Sequence, residues 1–174
     1  MNIRFSGFGG QGIVLSGVIL GTAAVYDSKN AIQTQSYGSE ARGGACKCDV
    51  IIDEKTINEL EPDLLDILIA FSQPAFNEYF PYLKKDGILF IDKDLVSLPD
   101  RKTFPGEVYT IPATDLAFKK LNHKIMANLV MMGYVIRKTG LLDVESVEQS
   151  IRENAPQKFV EANLNAFRTG LELD

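Results

Sequence analysis

The chain has 174 residues, of which 45% are apolar and 24% are charged, so we expect one compact domain spanning residues 1–174. Its net charge of −5 and pI near 5.0 argue against a general binder of nucleic acids or membrane surfaces. No apolar stretch reaches the roughly 20 residues that cross a bilayer. A glycine-rich segment from residue 7 leaves no room for a signal peptide, so we expect a cytoplasmic protein.

The first elements are a short apolar strand, a glycine-rich turn and a helix. The strand begins at Ile3 and enters a G-x-G-x-x-G pattern formed by Gly7, Gly9 and Gly12, and helical spacing of apolar residues follows over 14–26. In such a pattern the first glycine allows a sharp turn, the second lets a pyrophosphate approach, and the third lets the helix pack closely on the sheet. The free N–H groups of the helix then face the anion. This arrangement predicts a site for nucleotide phosphate.

The later elements continue the alternation of strands and helices. We predict strands over 31–34, 45–52, 64–71, 88–91 and 107–111, a turn at 86–87, and helices over 74–83, 114–121, 126–140, 143–153 and 157–170. Between the second and third strands lies a polar segment, 35–44, with three glycines and Arg42. The order of elements predicts an α/β fold with a Rossmann-like, open, mostly parallel sheet flanked by helices and extra helices at the C-terminal end.

Metal chemistry within the chain is not expected. A structural zinc site needs about four ligands, whereas the chain has two cysteines, Cys46 and Cys48, and one distant histidine, His123. The two cysteines lie two residues apart in a predicted strand, so their side chains should point to the same face. They are interpreted as reduced, small apolar side chains. No spacing typical of iron–sulfur ligands is present, so cluster chemistry would belong to other chains.

The second predicted strand lacks the usual ribose-binding residue of a nicotinamide enzyme. An Asp or Glu is expected about 20 residues after the glycines, but residues 32–35 read Ile-Gln-Thr-Gln. His123, the only histidine, precedes an apolar helix and is not an obvious partner for hydride transfer. Phosphate binding without redox machinery indicates a subunit that shares its active site.

Three blocks of sequence together resemble one family. They are Gly7-Phe-Gly-Gly-Gln-Gly-Ile-Val-Leu-Ser16, Gln35-Ser-Tyr-Gly-Ser-Glu-Ala-Arg-Gly-Gly-Ala45 and Asn128-Leu-Val-Met-Met-Gly133. In this order, over nearly the whole chain, they are similar to the gamma subunit of 2-oxoacid:ferredoxin (acceptor) oxidoreductases. The Ser-Glu-Ala-Arg-Gly-Gly segment is most similar to the 2-oxoglutarate branch, while pyruvate and branched-chain members share the surrounding pattern.

The resemblance implies an enzyme complex that oxidatively decarboxylates a 2-oxoacid with coenzyme A, giving acyl-CoA, carbon dioxide and two electrons for ferredoxin. Thiamine diphosphate and iron–sulfur clusters would lie mainly in the alpha, beta and ferredoxin-like partner subunits. The gamma subunit would help to complete the coenzyme A site. We therefore expect no turnover from this chain alone and expect the isolated chain to expose an apolar patch or to self-associate, for example as a homodimer.

The resemblance also implies the residues of the site, although no catalytic residue is assigned. Candidates that would face a phosphate of coenzyme A are Gly7, Gly9, Gly10, Gln11, Gly12 and Ser16. Arg42 would pair with a phosphate or a substrate carboxylate, and Gly43 and Gly44 would allow close backbone approach; the alternative is an exposed loop arginine beside two turn glycines. Ser72 and Gln73 follow the fourth strand at the ligand-binding edge. Asn128, polar within an apolar helix, has either a structural partner or a place in the site.

Two other functions remain alternatives. One is a free-standing Rossmann enzyme that uses a nicotinamide cofactor, against which the neutral end of the second strand argues. The other is a nucleotide-binding module without its own catalysis. The long glycine-rich segment 37–44 exceeds what nucleotide binding alone requires and favours the subunit that completes a shared site.

Overall fold

The computed structural model describes residues 1–37, 45–98 and 104–174. Helices interrupt the run of six strands at two places, and four α-helices follow the last strand. The strands are β1 (Asn2–Gly7), β2 (Asn30–Tyr37), β3 (Cys46–Asp53), β4 (Leu65–Ala70), β5 (Leu83–Asp92) and β6 (Glu107–Ile111). The α-helices are α1 (Ile13–Tyr26), α2 (Gln73–Tyr79), α3 (Ala113–Leu121), α4 (Ala127–Thr139), α5 (Val144–Asn154) and α6 (Val160–Leu171). Single turns of 3-10 helix lie at Phe80–Tyr82, Lys124–Met126 and Gln157–Phe159.

The six strands form one sheet in the order β2-β3-β1-β4-β5-β6. The pairs β1–β4, β4–β5 and β5–β6 are parallel, whereas β3 pairs antiparallel with both β1 and β2. Five strands therefore point the same way and only β3 of the described strands is reversed. The predicted α/β class, with helices flanking an open sheet, is confirmed, and the reversed β3 makes the sheet mixed.

Each face of the sheet has its own apolar core because side chains alternate along the strands. In β4, Ile67 and Ile69 contribute to a large core with α1, α3, α4, α5 and α6. Leu68 and Ala70 point the other way, into a smaller core with α2. Central strands covered on both faces read as nearly continuous apolar runs, which is why 64–71 was recognisable as a strand.

Several predicted boundaries differ from the structure: β2 and β5 are longer than predicted, and α6 begins at Val160 after a 3-10 turn. Two of the differences have a clear physical reason. The helix that begins near Pro74 ends at Tyr79 and gives way to a 3-10 turn, because Pro81 has no N–H to continue an α-helix. The predicted turn at Asp86–Gly87 lies inside β5, where the register with β4 shifts between Leu65 and Ile67. A Cβ on Gly87 would come within 3.0 Å of the carbonyl oxygen of Lys84, so glycine permits this irregular pairing.

A buried ion pair links β1 to the reversed strand. Arg4 donates from Nε and Nη2 to the two carboxylate oxygens of Asp49, at 2.5 and 2.8 Å. Both side chains are almost fully buried, and the ring of Tyr79 lies 4.9 Å from the guanidinium carbon. A bidentate pair satisfies both buried charges.

None of the helices in the described ranges is long and apolar enough to cross a membrane.

Candidate functional site

The strand order reverses between β1 and β4, and this places a crevice at their carboxyl ends. In the sheet, β2 and β3 lie on one side of the β1–β4 pair, whereas β5 and β6 lie on the other side. Open α/β sheets bind ligands at such a switch point, outside the carboxyl ends of the strands. Here the two segments that border the crevice are residues 8–12, after β1, and residues 71–72, after β4.

Gln11 joins these two segments across the crevice. Its side-chain oxygen accepts a hydrogen bond from the N–H of Phe8 at 2.6 Å. Its side-chain nitrogen donates to the carbonyl oxygen of Phe71 at 2.9 Å. A Cβ on Gly7 would overlap the Gln11 side chain and reach within 3.1 Å of the Phe71 Cβ. Gly7 therefore makes room for the glutamine that fixes the loop.

Gly12 and Ser16 are held from behind by Asn128 on α4. The Asn128 side-chain nitrogen donates to the carbonyl oxygen of Gly12 and to the hydroxyl of Ser16, both at 3.2 Å. The Ser16 hydroxyl in turn donates to the Gly12 carbonyl at 3.0 Å. Gly12 has φ +74, and a Cβ there would lie 2.8 Å from Asn128 Cγ. The third glycine thus admits a side chain from another helix at the start of α1.

Gly9 and Gly10 form the open part of the loop. No described atom lies within 4 Å of a Cβ built on either residue, and Gly10 has φ +91. Gly12 precedes the first turn of α1, and no described side chain caps it. The first N–H groups of a helix lack partners within the helix and lie at its positive end. An anion beside Gly9 and Gly10 would therefore meet donors that lack partners within the helix, and no described atom would block its approach.

A cleft of about 300 Å³ opens next to this loop. Gly10, Gln11 and Phe71 form one side of the cleft, and Leu95, Thr114, Lys124, Ile125 and Ala127 form the rest. Its walls are mainly apolar, while Thr114 contributes a hydroxyl and Lys124 a positive charge. Most ligand sites combine apolar walls with a few polar groups in this way.

Asp92 fixes the wall of the cleft at Thr114. The buried Asp92 carboxylate accepts hydrogen bonds from the Thr114 hydroxyl at 2.5 Å and from the Thr114 N–H at 3.1 Å. Burial raises the pKa of Asp92 above its ordinary value, although the bonds from Thr114 and from the Asp94 N–H oppose this rise. Asp92 could have been predicted from the sequence, because it is a polar residue at the carboxyl end of a strand. The same rule selected Ser72 and Gln73.

Comparison with known proteins shows the family of this chain. A family model described as pyruvate ferredoxin/flavodoxin oxidoreductase matches residues 2–173. The chain belongs to this family. The 2-oxoglutarate synthase subunit KorC of Methanocaldococcus jannaschii is 45% identical over 172 residues, which cover 98% of this chain and 92% of that protein. The resemblance to the gamma subunit of 2-oxoacid oxidoreductases is therefore confirmed.

Solved structures of the oxidoreductase family have the same fold. The keto/oxoacid ferredoxin oxidoreductase gamma subunit from Geobacter sulfurreducens matches with a TM-score of 0.86 and 40% identity, over 98% of this chain and 96% of that one. The 2-oxoglutarate:ferredoxin oxidoreductase from Magnetococcus marinus, solved with 2-oxoglutarate, coenzyme A and succinyl-CoA, matches with a TM-score of 0.86 at 20% identity. The match covers 98% of this chain but 30% of that longer one, and at this identity it shows the fold alone.

The remaining predicted residues of this oxidoreductase subunit lie in different places. Ser72 is buried and begins α2, where its hydroxyl accepts a hydrogen bond from the Ala75 N–H at 3.3 Å. Gln73 accepts one from the Ser97 N–H at 2.8 Å and donates to Asn77. Ser72 follows β4 at the crevice and Gln73 begins α2, but neither is among the described residues that line the cleft, and both hold local structure. Arg42, Gly43 and Gly44 lie outside the described residues.

Several cleft residues of the oxidoreductase subunit were missed by sequence reasoning. Phe71, Leu95, Thr114 and Lys124 come from four separate segments. Lys124 follows His123 in the turn before α4, but a single lysine there carries no pattern.

Cys46 and Cys48 are buried in the larger core as small apolar side chains, and burial raises the pKa of Cys48 to about 11.

Proposed function

We propose that this chain is the gamma subunit of a 2-oxoglutarate:ferredoxin oxidoreductase and helps to complete its coenzyme A site. The complex would convert 2-oxoglutarate and coenzyme A to succinyl-CoA and carbon dioxide, with two electrons passing to ferredoxin. The 45% identity to a 2-oxoglutarate synthase subunit supports this substrate. The observation that carries the coenzyme A role is the open glycine loop, Gly9 and Gly10, beside the uncapped start of α1.

The residues of this loop suit the phosphates of coenzyme A. Gly9 and Gly10 leave backbone space for a phosphate, and the α1 N–H groups supply donors and a positive field. No acidic side chain occupies the end of β2 for a ribose of NAD, which coenzyme A does not require. Lys124, in the adjoining cleft, adds a positive charge. The site therefore favours a phosphorylated ligand other than a nicotinamide cofactor.

The other predicted residues have supporting roles in this proposal. Gln11 holds the loop in place through its hydrogen bonds with Phe8 and Phe71, and Gly7 makes room for it. Gly12, Ser16 and Asn128 are joined by hydrogen bonds among themselves. Ser72 and Gln73 would support the opposite edge of the crevice by holding Ala75 and Ser97 in place. Arg42, Gly43 and Gly44 would approach the ligand or the neighbouring subunit, as the resemblance implies.

The redox chemistry would lie in partner chains. Thiamine diphosphate supplies the decarboxylation chemistry when bound, and iron–sulfur clusters take the electrons. Among residues 1–37, 45–98 and 104–174, no three His, Cys, Asp or Glu side chains are grouped so that they could hold a metal ion. As the resemblance to the family implies, we assign these cofactors to the alpha, beta and ferredoxin-like subunits. The isolated chain would be inactive and would self-associate through its uncovered interfaces.

The test is to purify the complex through a tag on this chain and to assay coenzyme A-dependent viologen reduction with 2-oxoglutarate, pyruvate and branched-chain 2-oxoacids. We expect activity to co-purify and to be highest with 2-oxoglutarate. Gly9→Ala should raise the KM for coenzyme A about tenfold, which corresponds to about 1.4 kcal/mol, and leave the KM for 2-oxoglutarate unchanged. A methyl group at Gly9 would occupy the space assigned to phosphate.

Gly21→Ala is the matched control. Gly21 lies in α1, and the nearest atoms to a Cβ there are 3.9 Å away, so this variant should keep both KM values. Purification of an inactive chain without partners, or an unchanged KM for coenzyme A in Gly9→Ala, would overturn the proposal. Higher activity with pyruvate would move the chain to that branch of the family.

A further inference from the structure

The sheet has an unprotected edge at β2. This strand stands last in the strand order and runs beside β3 over eight residues without a break in register. No described residue pairs with its other side. Natural proteins commonly guard edge strands with charges, prolines or bulges, yet residues 30–37 contain no charged residue and no proline. The opposite edge strand, β6, has five residues and begins with the exposed Glu107.

Side chains on both faces of β2 are held by bonds within the chain. On the α1 face, Gln33 donates from its side-chain nitrogen to the sulfur of Cys48 at 2.9 Å. On the other face, the Thr34 hydroxyl donates to the carbonyl oxygen of Leu60 at 3.3 Å. Every second residue of a strand in an antiparallel pair directs its N–H and C=O away from its neighbour. The strand is thus fixed in place and offers main-chain groups that match another extended strand.

A groove of about 220 Å³ runs along this edge between β2 and α1. Its lining consists of Val18, Gly21, Thr22 and Val25 from α1 and Ala31 and Gln33 from β2. A Cβ on Gly21 would lie 3.9 Å from the Gln33 Cβ, so the helix packs directly on the strand beside the groove. Val25 is 59% exposed at this side of the helix. A strand added to β2, with a helix over its own face, would cover both the groove and Val25.

We propose that two copies of this chain pair through β2, antiparallel, about a two-fold axis near Gln33 and Thr34. The two sheets then join into one continuous sheet. A two-fold axis perpendicular to the sheet keeps each face on its own side, so the two α1 helices lie side by side on one face. Their grooves meet there, and the exposed Val25 side chains become covered.

Symmetry and charge favour a second copy as the occupant of this edge. A strand that pairs antiparallel with itself is self-complementary, because each outward N–H of one copy meets a C=O of the other. The chain carries a net charge of −5, so two copies repel each other at most faces. At β2 only neutral side chains come together, and a basic partner would find no carboxylate on the strand. The pairing needs no ligand and is independent of the coenzyme A role.

The experiment exchanges charge at Thr34 and measures the dimer Kd of the full chain by sedimentation equilibrium. Residues near the centre of a two-fold strand pair lie opposite or diagonal to their own copies. Thr34→Lys and Thr34→Glu therefore bring like charges together, and each should raise the Kd about a hundredfold. An equimolar mixture of the two variants should return the Kd to near that of the parent. Glu107→Lys, on the β6 edge, is the matched control and should keep the parent Kd.

The purified complex should contain two copies of this chain, counted by native mass spectrometry. A monomeric parent chain together with a single copy in the complex would overturn the inference. Dimers that persist in both Thr34 variants, or a mixture that stays monomeric, would do the same. Loss of partner subunits from the Thr34→Lys complex with both copies retained would give the edge to a partner subunit instead.

Val25→Asp tests the same interface without changing the sheet. Val25 lies on the surface of α1, so this variant should fold even if the Thr34 variants lose their native circular dichroism. It should raise the dimer Kd about tenfold by placing two carboxylates beside the axis. Phe118→Asp, at a residue 49% exposed on α3, is the control and should keep the parent Kd. An unchanged Kd in Val25→Asp would overturn the inference.

Discussion

The glycines of the first loop are needed for different physical reasons. Gly12 combines a left-handed backbone, φ +74, with the close approach of Asn128. Gly7 makes room for the Gln11 side chain. Gly9 has neither constraint, since no described atom comes within 4 Å of a Cβ placed there. A single sequence motif therefore contains residues required by the fold and a residue that no described neighbour requires to be glycine.

The different constraints predict different effects of two alanine substitutions on stability. Gly12→Ala should lower the free energy of unfolding by about 2 kcal/mol, because a left-handed non-glycine residue costs about 1–2 kcal/mol and its methyl group would displace Asn128. Urea unfolding followed by circular dichroism measures the change. Gly9→Ala should stay within about 0.5 kcal/mol of the parent. Equal losses in the two variants would contradict this assignment.

At the level of elements, α4 and α6 pack closely against each other at two glycines, Gly133 and Gly170. A Cβ on Gly133 would overlap the carbonyl oxygen of Phe167 and lie 3.0 Å from the Gly170 Cα. A Cβ on Gly170 would overlap the carbonyl oxygen of Val130. Each glycine thus faces the backbone of the other helix. Because backbone atoms cannot rotate away, this crossing tolerates no larger residue.

Gly133→Ala should therefore destabilise the protein although alanine is the better helix former. We expect a net loss of about 2 kcal/mol, within the range of about 1–3 kcal/mol for overpacked cores, measured by urea unfolding. Gly21→Ala on α1 is the control, since ordinary contact distances there let the gain in helix propensity of about 1 kcal/mol appear. Stabilisation by both substitutions would show that the two helices can separate without cost.

The direction of β3 is an element-level feature that the sequence could have indicated. β2 and β3 are separated by residues 38–45, which is shorter than the dozen or more residues that join parallel strands. An antiparallel pair follows from this length. The placement of β3 between β2 and β1 could not be predicted. The pattern of apolar residues in a strand is the same whichever way the strand runs and whichever strand lies beside it.

At the scale of the whole molecule, β3 is sealed between β1 and β2 and covered by α1. Cys48 on this strand is fully buried, its sulfur accepts a hydrogen bond from Gln33 at 2.9 Å, and Cys46 is 4% exposed. Burial raises the pKa of both thiols, that of Cys48 to about 11. Reactive thiolate is therefore scarce at neutral pH and is also shielded from reagents.

The two thiols should report on global unfolding. At pH 8 a disulfide reagent should leave both unmodified in the native chain and modify both in urea, because only the thiolate reacts and only unfolding of the sheet exposes it. The modification rate below the urea midpoint should follow the free energy of unfolding. Gly133→Ala, which weakens the packing on the sheet, should speed the reaction. Immediate modification of one thiol in the native chain would show that β3 opens locally.

The sequence by itself determined the strands and helices, the glycine turn before α1 and the membership of the oxidoreductase family, because these depend on neighbouring residues and on short ordered blocks. That the whole chain is one domain remains a prediction. Only the tertiary structure decided what surrounds the loop: Asn128 meets Gly12 across 116 positions, and the cleft combines segments as distant as Gly10 and Ala127. Such contacts depend on how the strands pair and the helices pack, and local preferences do not specify them.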